Sequence, residues 1–151
     1  MALPKKEPYI RQIALYISNK EFDRAYILAQ DFSSKFKGEL IAHFLMAKAA
    51  FRLKKFYEAS IAARKAFALA NNKQDMIICA IILAASYYVL GDRIQAYQVL
   101  NKFKSDENPD IEKLMLIFVL SAQNEGEAMQ HIEKLYSVNR RLAEDFIQRF
   151  F

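Results

Sequence analysis

Apolar residues recur along this chain at intervals of three and four, the period that lays side chains along one face of a helix. Residues 53–69, LKKFYEASIAARKAFAL, are the clearest instance, with Ala59, Ala62, Ala63 and Ala66 set among Phe56, Ile61, Phe67 and Leu69. Taking Ala59, Ala63 and Ala66 as a template at i, i+4 and i+7, the same spacing occurs at Ala25, Ala29 and Phe32, at Ala96, Leu100 and Phe103, and at Ala128, Ile132 and Leu135. The leading alanines lie 34, 37 and 32 residues apart. Each follows a short polar turn: NKEFDRA at 19–25, LKKFYEA at 53–59, LGDRIQA at 90–96 and QNEGEA at 123–128. Each turn follows an apolar helical stretch: Ile10 to Ile17, Phe44 to Phe51, Met76 to Leu90 and Ile111 to Leu120.

The pattern predicts a helix, a tight turn and a second helix, repeated about every 34 residues. A lone hairpin of this size cannot cover its own apolar face, so several must stack, and the alanines mark where one helix backbone approaches its neighbour's groove. Gly38 ends the first hairpin, Asn71 and Asn72 end the second, and SDENPD at 105–110 separates the third from the fourth. Terminal units of such stacks need a polar outer surface. Residues 140–151 meet that need as a capping helix, with Leu142, Phe146 and Phe150 on one face and Arg141, Glu144, Asp145 and Gln148 on the other.

In this arrangement the chain resembles the tetratricopeptide repeat (TPR) family. The third copy carries the pattern best, with Ala80, Leu83, Ala84 and Tyr87 in its first helix, Gly91 and Asp92 in the turn, and Ala96 and Phe103 in its second helix. The second copy keeps Ala47, Phe56, Ala59 and Ala66, and the first keeps Tyr16, Phe22 and Ala25 with Ile13 at the small position. The resemblance implies one all-α domain, a superhelical stack of about four antiparallel hairpins at residues 6–38, 40–72, 76–108 and 110–138, closed by the helix at 140–151.

Composition agrees with long helices and short connections: 54% of the 151 residues are hydrophobic, and there are only 3 glycines and 3 prolines. The single cysteine, Cys79, has no partner for an internal disulfide, sits in an apolar run as a small core residue, and suits a reducing, cytoplasmic compartment. The N-terminus lacks the apolar core of a secretory signal. The most apolar stretch, residues 76–90, falls short of the roughly 20 residues that span a bilayer.

Catalytic chemistry finds little material. His43 and His131 are the only histidines, with no metal-ligand spacing beside either, and the isolated glycines Gly38, Gly91 and Gly126 build no phosphate loop. We expect no enzyme activity, no metal and no cofactor, and place His43 at the surface or half-buried on the first helix of the second copy.

The resemblance implies a groove instead, lined by the first helices of successive hairpins and holding a peptide. Carried onto this sequence, its lining is Phe44, Lys48, Phe51 and Arg52 from the second copy, Ile78, Ile81, Ala85 and Tyr88 from the third, and Lys113 and Ile117 from the fourth. The cation set with which some relatives clamp a chaperone's C-terminal carboxylate is absent, because Ile10, Ala14, Leu45, Ile78 and Ile82 stand at those positions beside Lys48. An apolar groove bearing Lys48 and Arg52 fits a protein or peptide with hydrophobic anchors and acidic residues. The expected function is a non-catalytic adaptor, scaffold or chaperone-like module. Two alternatives stand beside it. Net charge is +5, and residues 35–65 hold eight bases against two acids, which allows a nucleic-acid-binding helical repeat on that basic face. The 12 Phe and 8 Tyr, with the FIQRFF end, allow a homo-oligomeric scaffold.

Overall fold

A computed structural model describes residues 5–103, which form six α-helices and, among the described residues, no strand. They are α1 (Lys6–Ser18), α2 (Phe22–Lys35), α3 (Leu40–Arg52), α4 (Phe56–Leu69), α5 (Lys73–Val89) and α6 (Arg93–Asn101). Each helix packs on the next along the chain, α1 also touches α3, and α3 also touches α5. No two of the second helices, α2, α4 and α6, make contact of similar extent. The region predicted as the fourth hairpin, residues 110–138, and the capping helix at 140–151 lie outside the described residues.

Three turns with one hydrogen-bond pattern join the helices into hairpins. At the first, the Asn19 N–H donates to the Leu15 carbonyl (2.9 Å), Lys20 to Ile17 (3.0 Å) and Glu21 to Tyr16 (2.8 Å). The same three bonds recur at Leu53, Lys54 and Lys55, and again at Leu90, Gly91 and Asp92. The middle residue of each turn is left-handed, with φ of 62° at Lys20, 63° at Lys54 and 93° at Gly91. Such a turn satisfies carbonyls that the ending helix leaves orphaned, which is why it recurs. The residue after it then caps the next helix: the carbonyls of Glu21, Lys55 and Asp92 accept from Ala25, Ala59 and Ala96. Asp92 adds a side-chain cap, accepting from the Gln95 N–H at 3.2 Å.

Ala25, Ala29, Phe32, Ala59, Ala63, Ala66, Ala96, Leu100 and Phe103, the described members of the repeated template, are all buried. They belong to two apolar clusters. One joins Ile13 with Ala25, Ala29 and Phe32 of the first hairpin and Ala42, Leu45 and Ala49 of α3. The other runs from α3 through α4 and α5 to Leu100 and Phe103. Alanine suits these contacts because its small side chain lets helices approach closely at little entropic cost. Ring pairs fill the remaining gaps, such as Tyr9 stacked on Phe32 at 5.0 Å and Phe67 edge-on to Phe103 at 6.3 Å.

Local chemistry moves one boundary. Asn72, expected to end the second hairpin, instead caps the third: its Oδ1 accepts from the Asp75 N–H at 2.9 Å, and α5 begins at Lys73 rather than at Met76. The α5 helix is also buried on nearly every side from Cys79 to Tyr88.

Candidate functional site

The face predicted to line a groove starts on α3. Phe44 and Lys48 stand one turn apart and half-buried, with the Lys48 ammonium 5.8 Å from the Phe44 ring centroid. One turn further, the Arg52 guanidinium lies 4.4 Å from the centroid of Phe22, at the start of α2. Cations over rings at these distances are attracted by the ring quadrupole. Burial lowers the pKa of the Lys48 amine, and the neighbouring charge of Arg52 lowers it further. Two like charges thus sit side by side on a partly desolvated, aromatic-floored surface.

The remaining predicted residues divide. Ile78 is 37% exposed on α5. Phe51 is 8% exposed, is part of the larger core cluster and meets Phe56 edge-on at 5.1 Å. Ile81, Ala85 and Tyr88 are core and not accessible lining, at 0%, 2% and 1% exposure. The physical reason is the unbroken apolar run of α5 from Met76 to Ala85, which has no polar side there to set a lining face apart from core. Lys113 and Ile117 lie outside the described residues. Repeat-equivalent positions show the trend: Ala14 on α1 is exposed, Lys48 on α3 is half-buried and Ala85 on α5 is buried. The accessible part of the predicted set is therefore Phe44, Lys48, Arg52 and Ile78.

Several other bases of residues 35–65 are engaged by the fold. Lys35 donates to the Tyr9 hydroxyl (2.9 Å) and to Asp31 (3.2 Å), which raises its pKa, while the hydrogen bond from the Tyr9 hydroxyl and then that from Lys35 lower the pKa of Asp31. Lys55 sits 5.5 Å over the ring of Tyr26. Arg64 donates from Nε to the Tyr87 hydroxyl at 2.9 Å, tying α4 to α5. Lys37 and Lys65 border a cavity of about 680 Å³ where the end of α2 meets α3 and α4.

His43 is among the residues that line this cavity. The side chain is buried rather than at the surface, and its Nε2 lies 2.7 Å from the Lys37 carbonyl, bridging α3 to the connection before it. Its only signal in sequence is position, eleven residues before the Lys54 turn and on the face of α3 that meets α2. Cys79 is fully buried, and burial, helped by the negative charge of Asp75, pushes its thiol up to about 12. Among the described residues no group of His, Cys, Asp and Glu is arranged to hold a metal, and no helix is long and apolar enough to cross a membrane. No protein-family model, no curated protein and no solved structure matches the chain.

Proposed function

We propose that the chain is a non-catalytic interaction module of the tetratricopeptide type, a curved stack of about four hairpins that holds a peptide or partner subunit along its first helices. Contacts of α1 with α3 and of α3 with α5, without matching contacts among the second helices, favour curvature with the first helices on the inner side. The observation that carries the reading is the pairing of Lys48 and Arg52 beside the half-buried ring of Phe44. An Asp or Glu carboxylate entering there pairs with these cations, while a neighbouring Leu or Phe anchor covers Phe44. Such a ligand gains from both terms at once. Several of the other bases are engaged within the fold, Lys35 by Asp31 and Arg64 by Tyr87, which favours a peptide over a nucleic acid, whose phosphates need a continuous basic track. A buried lone cysteine fits a cytoplasmic setting.

The test is selection of random displayed peptides on the immobilised protein, followed by affinity measurement of the winners. The reading expects acids next to Leu or Phe, and at least about a tenfold loss of affinity in Lys48→Glu with little change in Lys65→Glu. Winners without acids, or winners that bind Lys48→Glu as tightly as wild type, contradict it.

A further inference from the structure

The outer face of the first hairpin is more open than the matching face of the second. In α3, the residues Ala42, Leu45 and Ala49 are buried against the first hairpin's Ile13, Ala25, Ala29 and Phe32. The same positions of α1, 34 residues earlier, are Pro8, Arg11 and Leu15, all exposed, with Leu15 at 52%. On α2 beside them, Ile27 is 66% exposed. Large apolar residues left this open mark an interaction surface.

A groove runs past Ile27 on the same hairpin. It measures about 760 Å³ and is lined by Gln12, Tyr16, Arg24, Ile27, Leu28 and Asp31, all from α1 and α2. The repeat places an equivalent groove on the second hairpin, where Met46, Glu58, Ile61, Ala62 and Lys65 correspond to Gln12, Arg24, Ile27, Leu28 and Asp31. There the preceding hairpin supplies a wall, through Ser33, Ser34 and Lys37, and Ile61 is only 37% exposed. The groove of the first hairpin has no such wall among the described residues.

The charges on α2 specify what fits. Arg24 and Asp31 are seven residues apart, two helical turns or about 10 Å along one face, with Ile27 and Leu28 between them. A two-fold axis through the midpoint, perpendicular to α2, sets a second α2 antiparallel to the first. It brings Arg24 of each copy against Asp31 of the other and Ile27 against the apolar centre. A two-fold interface needs this self-complementarity, in which residue i meets j and j meets i. We infer that this face is a self-association surface, on which a second copy of the chain docks through antiparallel α2 helices. The present partners of these charges do not prevent it. Arg24 lies 3.3 Å from Glu21, an exposed pair of little strength, and Asp31 receives Tyr9 and Lys35 through one oxygen, Oδ2.

The inference is independent of the α3 face and is tested by sedimentation of the full chain over a wide concentration range. Wild type is expected to move from monomer to dimer as concentration rises. Ile27→Asp and Arg24→Asp should each raise the dimer dissociation constant at least about tenfold, while Ile94→Asp, on the exposed side of α6, should leave it unchanged. The decisive arm mixes Arg24→Asp with Asp31→Arg. Each alone sets like charges against each other across the axis, but the mixed dimer pairs opposite charges at both ends and should form more tightly than either homodimer. A wild type that stays monomeric, a dimer indifferent to Ile27→Asp, or a mixture no tighter than its components overturns the inference. Should Asp31→Arg lose helix content through loss of the Tyr9 contact, the contrast between Ile27→Asp and Ile94→Asp decides alone.

Discussion

Lys20 and Lys54 occupy the same position in successive hairpin turns, 34 residues apart, with backbone φ of 62° and 63°. Gly91 holds the third such position, at φ 93°. A side chain in this region is crowded by the following carbonyl, which costs roughly 1 kcal/mol, whereas glycine adopts it freely. Lys20→Gly and Lys54→Gly should therefore each stabilise the fold by about 0.5–1 kcal/mol, and Gly91→Ala should destabilise it by about 1 kcal/mol. Urea unfolding midpoints read all three.

The alanine template carries a second expectation. Ala63 is fully buried between helices, so Ala63→Leu must push α4 away from its neighbours and should cost about 1–3 kcal/mol. Ala68→Leu, on the exposed side of the same helix, should change stability by no more than about 0.5 kcal/mol. Equal effects at the two sites contradict the packing role assigned to the small residues.

The repeat was the most legible feature of the sequence, because hairpin stacking imposes one small-residue spacing on every unit. All nine described template positions are buried. Helix starts were less legible: a side-chain cap such as that of Asn72 looks like a turn residue until its bond to the Asp75 N–H is seen. On α3 the cations Lys48 and Arg52 stand out in the sequence because they interrupt an apolar run. On α5 the apolar run carries no periodic signal to separate accessible positions from core, and Ile81, Ala85 and Tyr88 are core.

Arg64 and Tyr87 tie the second hairpin to the third through the bond between guanidinium and phenol hydroxyl, with the guanidinium 5.6 Å from the ring centroid. Tyr87→Phe keeps the ring and removes the acceptor, so a loss of about 1 kcal/mol is expected. Arg64→Lys, which keeps charge but not the forked donors, should recover only part of the contact. Thermal unfolding of the two variants and wild type makes the comparison.

Cys79 predicts a pH dependence. Its folded value, near 12, lies above the roughly 8.5 of a thiol in the unfolded chain, so the folded state holds the proton more tightly. The associated stability is full below about pH 8.5 and is lost as pH rises through the folded value. Between pH 8 and 10 the urea midpoint of wild type should fall more steeply than that of Cys79→Ala. The native thiol should also react with a disulfide reagent only as fast as the chain opens.

Lys48 should trade stability against binding. Its ammonium is partly desolvated beside Arg52, so Lys48→Met, which keeps the length of the stem, should leave stability unchanged or raise it by up to about 1 kcal/mol. The same variant should bind an acidic, Leu- or Phe-bearing peptide more weakly than wild type. Loss of stability without loss of binding contradicts a ligand-facing role for this side chain.

Where a ligand lies on the hairpins tests the proposed function most directly. Amide chemical shifts of the isotope-labelled protein, followed as a selected acidic amphipathic peptide is added, report the contact helix by helix. The account predicts that the largest changes fall on α3 from Phe44 to Arg52 and around Ile78 of α5, with the exposed Tyr57 and Ile61 of α4 little affected. Changes concentrated on α2 and α4, with Phe44 and Lys48 unmoved, contradict it.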